Sequence, residues 1–427
     1  MSKLSGRPIA VLGGTRTPFC RAHTYLRDAS NLEMMSASLA TTVSRFGLKG
    51  EQIGEVALGA VIKHSRDWNL AREATLNSGL APETPAMDLQ RACGTSLSAA
   101  VLLGTKIATG QIDAAIAGGT DSISDVPIVF RDSFRRLLLA SNRGRTPLEK
   151  IKPWLGLRPR HFVPSFPGVV EPRTGLSMGQ SMEITAKTWG ISRDDQDALA
   201  LASHQNAEQA YRDGFYDDLV IEFRGVTKDN NIRPDTSLEK LAKLKPAFDR
   251  SSAGTMTAGN STPLTDGASS VLLASEDWAQ DRGLAVQAYI THAEESAVDF
   301  VFDEGLLMAP VYAVSRLLDK ANLSLQDFDF YEIHEAFAAQ TLATLAAWES
   351  ESFCREKLGR DEPLGSIDRS RLNVRGGSVA IGHPFAATGT RLVASLAKQL
   401  SDNGGGKGLL SVCTAGGMGV TAILEAA

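Results

Sequence analysis

Short apolar runs alternate with stretches of helical periodicity through most of the chain. Pro8 to Leu12 reads as a strand, Asn31 to Phe46 as an amphipathic helix and Val56 to Val61 as a second strand. A helical stretch around Asn69 to Ser78 leads to a strand from Ala86 to Gln90. A helix of small residues then spans Gly94 to Thr109, and a strand Ala114 to Gly119. Brief apolar runs bounded by glycine and polar turns predict buried strands, and their alternation with helices predicts a layered α/β domain. The rhythm breaks from about 123 to 247, where Arg, Pro and Gly are frequent. Two amphipathic helical stretches lie inside that span, near Ser181–Trp189 and Arg193–Asp213. This part predicts an inserted loop domain.

The rhythm returns with a strand from Gly267 to Leu273 and repeats afterwards. Strands are expected at Val286–Thr291, Phe328–Ile333, Gly408–Val412 and Val420–Glu425. Helices are expected at Pro310–Ala321, Glu335–Trp348 and Pro384–Leu400. The two halves carry a similar succession of strands and helices, which predicts a duplicated α/β unit although no residue-level repeat stands out. The expected division is an N-terminal domain over 1–282, holding the loop domain, and a C-terminal domain over 283–427.

Composition fits this picture. The chain has 427 residues, 43% of them hydrophobic and 22% charged, as in a globular enzyme with a large core. Its four cysteines form no C-x-x-C pair, so neither a disulfide framework nor a zinc site is expected. No apolar run of about 18 residues appears, and the start, Met1 to Arg7, is short and polar; a cytoplasmic protein is expected. The net charge of −5 argues against general nucleic-acid binding. One stretch runs against that balance: Arg131 to Arg160 holds nine basic residues against Asp132 and Glu149. It reads as a solvated basic face, as an attractor of phosphates, or as a contact for an acidic partner or membrane. Phe134 to Leu139 there has the mixed basic and apolar character of interfacial helices.

Four reactive side chains share one kind of position. Cys93 and His334 follow predicted strands and open helices, His383 precedes a helix, and Cys413 ends a strand before a glycine-rich turn. Carboxyl ends of strands are where open α/β folds gather ligands. A single Cys or His in such a place is more often structural; four together are harder to dismiss. Cys93 has the strongest case as a nucleophile. A helix N-terminus lowers a thiol pKa, and the following Gly94, Thr95 and Ser96 leave room for a substrate.

At this point the chain resembles the thiolase family. The ordered series is Arg91-Ala92-Cys93-Gly94-Thr95-Ser96, Gly118-Gly119-Thr120-Asp121-Ser122, Lys245-Pro246-Ala247-Phe248-Asp249 and Thr257-Ala258-Gly259-Asn260-Ser261-Thr262. It continues with His334-Glu335-Ala336-Phe337-Ala338, Gly376-Gly377-Ser378 through Gly382-His383-Pro384, and Cys413-Thr414-Ala415-Gly416-Gly417. His334 in place of the commoner Asn, with Phe385-Ala386-Ala387-Thr388-Gly389, looks most like the thiolase subunit of fatty-acid-oxidation trifunctional complexes.

The resemblance implies a thiolase-like fold: two duplicated βαβαβαββ halves in a five-layer αβαβα core. It implies CoA-dependent cleavage of a 3-ketoacyl-CoA to acetyl-CoA and a shortened acyl-CoA, reversible as a Claisen condensation. Cys93 would carry the acyl group, with His383 as its base. Cys413 would be the second acid–base, its pKa tuned toward neutrality. One oxyanion would be held by the backbone N–H groups of Cys93 and Ala415, the other by His383 and His334. Met178, Arg233, Ala258, Thr262, Ala336 and Phe337 are the implied CoA contacts. Ser177 and Pro263 depart from the short-chain synthetic pattern, which has His and Gly there. CoA is a substrate, and neither a metal nor another cofactor is implied. A homodimer or homotetramer is implied, with a hydratase–dehydrogenase subunit as a further partner. The alternatives are an acetoacetyl-CoA thiolase, a ketoacyl synthase, which lacks the second cysteine, and a non-catalytic lipid-binding member of the fold.

Overall fold

A computed structural model of the chain describes residues 6–166 and 168–427; Met1 to Ser5, part of the polar start, lie outside the described residues. The first half of the core runs Ile9–Arg16 (β1), Asn31–Arg45 (α1), Glu55–Leu58 (β2), Leu70–Asn77 (α2), Ala86–Asp88 (β3), Thr95–Ala108 (α3), Ala114–Asp121 (β4) and Thr265–Ser275 (β5). The second runs Ala288–Ala297 (β6), Ala309–Ala321 (α4), Phe330–Ile333 (β7), Ala338–Glu349 (α5), Thr388–Asp402 (α6), Lys407–Thr414 (β8) and Met418–Ala426 (β9). β1, β4 and β5 are buried at every residue. Strands covered on both faces need no polar alternation, so they read as continuous apolar and small-residue runs.

The strands lie in the order β7-β8-β9-β6-β1-β5-β4-β2-β3. In the first half β2 is parallel to β3 and β4, while β5 is antiparallel to β4 and β1. The second half repeats the pattern. β7 is parallel to β8 and to an isolated bridge at Leu372, and β9 is antiparallel to β8 and β6. The Leu372 bridge stands where β3 stands in the first half. The halves join through two residue pairs, Ala10 with Tyr289 and Val11 with Ala288. Helix α6 packs on β1 and β5 from one side and on β9 and β8 from the other, with α3 beside it. The result is the five-layer thiolase fold: α1 and α2, a sheet, α3 and α6, a sheet, then α4 and α5.

Where element ends differ from the sequence reading, local hydrogen bonds decide. The helix expected from Glu335 begins at Ala338, because residues 336–338 pair with 260–262: Thr262 N–H donates to the Ala336 carbonyl and Ala338 N–H to that of Asn260. The helix expected from Ser181 begins at Met178, where Ser177 and Gln180 cap each other's backbone. β2 and β3 stop at Leu58 and Asp88, short of the expected Val61 and Gln90. β8 extends to Thr414, so Cys413 lies inside the strand end.

Between Ser122 and Leu264 the described residues add no strand to the large sheet. A buried ion pair ties this span to the core: Arg16 at the end of β1 meets both oxygens of Asp229 at 2.6 and 2.7 Å, and Phe19 N–H donates to the same carboxylate. The basic stretch forms the helix Asp132–Arg143. Its Phe134 is buried among Phe130, Trp154, His161 and Phe162, so part of its apolar face closes on itself. No helix among the described residues is long and apolar enough to cross a membrane.

The close approach of α3 and α6 sets the geometry of the centre. A Cβ on Gly389 would lie 2.2 Å from the backbone N of Leu97, and Thr390 N–H donates to Ser96 Oγ at 2.9 Å. Gly389→Ala is therefore expected to force the helices apart, at about 1–3 kcal/mol or more for overpacking a filled core. Urea denaturation should show the loss; unchanged stability would mean that the crossing tolerates a methyl group.

Candidate active site

The duplication places two reactive side chains at equivalent points. Cys93 precedes α3 and His383 precedes α6, and the two helices run side by side. The turn before α3 is tight. Ala92 takes φ +42°, a left-handed conformation that strains an alanine. Thr95 holds it closed: its Oγ1 accepts from Arg91 N–H at 2.8 Å and donates to the Ala92 carbonyl at 2.7 Å. Opposite, Asp121 at the end of β4 accepts from the N–H groups of Val61, Ile62 and Ala386. A Cβ on Gly119 would meet the Ala386 carbonyl oxygen at 2.1 Å. The Gly118-Gly119-Thr120-Asp121 motif thus fixes the segment that follows His383.

Four of the side chains expected from the sequence converge. The donor atoms of Cys93, His334 and His383 all lie within 4.8 Å of one another, and among the described residues this is the one group of that kind with metal-ligand types. The two imidazoles lie 4.1 Å apart between centroids, with their planes tilted by 48°. His383 Nδ1 lies 2.5 Å from Thr388 Oγ1, and its backbone N–H donates to Thr265 Oγ1. His334 Nδ1 lies 2.8 Å from Ser378 Oγ. Both Nε2 atoms are buried without a protein partner. Cys413 is buried, and with Cys93, His383 and Ala415 it lines a cavity of about 560 Å³. His334 is not part of that wall; its ring packs against that of His383, with one nitrogen within 4.8 Å of the Cys93 sulfur.

The cavity is mostly apolar. Met178, Ala258, Thr262, Ala336 and Phe337 line it, as do Ser177 and Pro263. Arg233 and Ala258 line a second cavity of about 280 Å³, which shares Arg21, Ala258, Ser261 and Pro263 with the first. Its cations are Arg21, Arg233 and Lys240. None of the nine basic residues from Arg131 to Arg160 lines either cavity, so their reading as a phosphate attractor finds no support. Sequence reasoning missed Arg21, Lys240 and Phe248, although Phe248 stands in the Lys245-Pro246-Ala247-Phe248-Asp249 motif. It also missed Ser378, Thr388 and Glu171. Glu171 accepts from Gly416 N–H at 2.6 Å and so holds the turn beside Cys413.

Electrostatics correct two expectations. Burial pushes the Cys93 thiol up to about 12, although the N–H groups of Ala415 and of Cys93 itself oppose the shift. Cys413 is likewise raised well above the ordinary value, by burial first and by Cys93 second. Neither the lowered pKa expected for Cys93 nor the near-neutral one expected for Cys413 is found. The helix N-terminus and two N–H groups are too little to offset a dry site. Burial also holds His383 down to about 3, with Arg391 adding to the effect. Burial thus favours a neutral thiol beside a neutral imidazole.

A duplicated, five-layer α/β core that brings two thiols and two imidazoles together at its centre defines an enzyme of the CoA acyltransferase class. The chain belongs to the thiolase family: residues 9–277 match the model for "Thiolase, N-terminal domain" and residues 284–426 that for "Thiolase, C-terminal domain". It is 42% identical over 426 residues to proteins named 3-ketoacyl-CoA thiolase from Yersinia enterocolitica and Yersinia pestis, covering 98% of this chain and 97% of each relative. It is also similar to the crystal structure of Bacillus anthracis acetyl-CoA acetyltransferase. The TM-score is 0.82 at 29% identity, over 99% of this chain and all of that one.

The neutral pair has a pH consequence. A base works only while unprotonated, so activity through His383 is present above its pKa and lost as pH falls through it. The acid limb of kcat/KM is expected well below the ordinary histidine value of 6.5. A limb at or above 6.5 would contradict this.

Proposed function

We propose that this enzyme cleaves 3-ketoacyl-CoA substrates longer than acetoacetyl-CoA, in the degradative direction of fatty-acid β-oxidation. The observation that carries the proposal is the apolar cavity holding Cys93, His383 and Cys413, joined to a smaller cavity lined by three cations. An acyl chain and a pantetheine arm suit the first; the phosphates of CoA suit the second. CoA enters as a substrate, and thiols and imidazoles supply the proton and acyl transfers without a further cofactor.

In this reading Cys93 gives its proton to Nε2 of His383, and the sulfur attacks the 3-keto carbonyl. The Cα–Cβ bond breaks and its electron pair passes into the enolate of acetyl-CoA. Cys413 protonates that enolate at carbon, a role that suits a thiol kept protonated by burial. A second CoA then gives its proton to the Cys413 thiolate and attacks the acyl group. Cys93 leaves as thiolate and recovers its proton from His383. The tetrahedral oxyanions lie by the N–H groups of Cys93 and Ala415, and the enolate oxygen lies by His383 and His334. Met178, Thr262, Ala336 and Phe337 flank the pantetheine arm, and Arg233 with Ala258 the nucleotide end.

The division of the chain near 282 between two thiolase domains, with an insertion at about 123–247, belongs to the same reading. So does a homodimer or homotetramer, with or without a hydratase–dehydrogenase subunit. A cytoplasmic location suits the four unpaired cysteines. A second reading, an acetoacetyl-CoA thiolase, is favoured by the likeness to the Bacillus anthracis acetyl-CoA acetyltransferase.

Thiolysis rates over an acyl-chain series decide between the two. A maximum beyond four carbons is expected, whereas a sharp optimum at four carbons would establish the second reading. Cys93→Ala is expected to remove thiolysis of every chain length. Retained turnover would overturn the mechanism.

A further inference from the structure

His334 and His383 pack against each other beside Cys93, yet their outer nitrogens meet different surroundings. His383 Nδ1 meets only the hydroxyl of Thr388, which can donate or accept. His334 Nδ1 meets the hydroxyl of Ser378, and that hydroxyl is already engaged. Arg391 Nη2 lies 3.0 Å from Ser378 Oγ. A guanidinium has donors only, so Ser378 accepts from it. Ser378, Arg391 and His334 are each 2% exposed or less, so water does not reach this chain of contacts. The Ser378 hydroxyl hydrogen then needs an acceptor, and Nδ1 of His334 stands 2.8 Å away. The reverse arrangement, with Nδ1–H donating, would leave a buried hydroxyl hydrogen unpaired, at a cost of about 1–3 kcal/mol.

We propose that Arg391, acting through Ser378, is a positioning residue that fixes His334 as the Nε2–H tautomer, a permanent hydrogen-bond donor to the oxyanion. This inference rests on the thiolase reading for the identity of the oxyanion, but the tautomer itself is a property of the free protein. The ring stays neutral: burial, His383 and Arg391 each disfavour its protonation, in that order. A neutral ring that accepts at Nδ1 carries its one proton on Nε2. That atom is buried and has no protein partner, and a nitrogen of this ring lies within 4.8 Å of the Cys93 sulfur and a His383 nitrogen. Arg16 acts on Arg391 at longer range, and the other charged groups nearby are Glu332 and Glu335. Both act on Arg391 at longer range, while the Glu335 carboxylate is held by Ser203, Asn373 and the Val379 N–H.

The two histidines therefore divide the work. His383 alternates: it offers a lone pair to the Cys93 thiol and donates from Nε2 only after taking that proton. His334 does not alternate and donates throughout the cycle. A shared oxyanion site needs both behaviours, because the enolate oxygen carries charge while His383 holds the proton. Asparagine, the commoner residue at this place in the family, cannot change tautomer. The Ser378–Arg391 contact gives a histidine the same fixed character.

The test is the nitrogen-15 spectrum of histidine-labelled enzyme, in which the two neutral tautomers give distinct correlation patterns. The His334 signals are assigned by their loss in His334→Asn. The Nε2–H tautomer alone is expected in the wild-type enzyme. In Ser378→Ala the Nδ1–H tautomer should appear. There kcat should fall about tenfold or more, short of the 10²–10³ seen for complete loss of an oxyanion donor, with KM for CoA unchanged. A wild-type His334 carrying its proton on Nδ1 would overturn the proposal, and so would a Ser378→Ala enzyme with unaltered tautomer and kcat. If Ser378→Ala does not fold, the wild-type spectrum decides alone. Absence of thiolysis in the wild-type enzyme would count against the functional reading and leave the tautomer assignment intact.

Discussion

The contact between α3 and α6 at Gly389 is the constraint on which the centre of this molecule depends. Two helices from the two halves of a duplicated chain approach until there is no room for a methyl group between Gly389 and the backbone of Leu97. Each helix is preceded by one reactive side chain. Bringing the helices together brings Cys93 and His383 together, and the sheets on either side leave them nowhere else to go. Ser96 and Asp121 refine the fit: one accepts from the first turn of α6, and the other from the Ala386 N–H just before it. The site lies at a seam between halves, so neither half holds it alone.

Burial of that seam sets the chemistry. Burial favours the neutral forms of thiol and imidazole, raising Cys93 and lowering His383. In the proposed mechanism no thiolate is stored at rest; one forms when the substrate carbonyl is in place to receive the attack. In the same proposal the N–H groups of Cys93 and Ala415 and the Nε2 atom of His334 meet the cost of charge separation. Preorganised dipoles of this kind cannot lower a resting pKa as far as burial raises it. They act on charge that appears during the reaction.

Much of this was legible in the sequence, for physical reasons. Strands buried on both faces and amphipathic helices have strong periodic signatures, so the strand–helix succession of the first half could be read, and that of the second apart from the single bridge at Leu372. Reactive side chains at strand ends could be read as well, since Cys93, His334, His383 and Cys413 stand beside small residues and turns. The starts of α5 and of the Met178 helix could not be placed by periodicity. One is delayed by pairing with residues 260–262, a contact between distant segments, and the other is set by a capping box at Ser177. The pKa of Cys93 was misjudged because a local feature, the helix N-terminus, was visible and the global one, burial, was not. Arg391 and Ser378 escaped notice for a related reason. Neither is reactive, and their role appears only when three buried side chains from separate elements are seen in contact.

The central claim is that Cys93 carries the acyl group while Cys413 only moves protons. Enzyme mixed with a 3-ketoacyl-CoA in the absence of free CoA, quenched in acid, digested and analysed by mass spectrometry tests it directly. One acyl group per chain is predicted, on the peptide that contains Cys93. An acyl group on the Cys413 peptide, or thiolysis with no acylated peptide at all, would contradict the account.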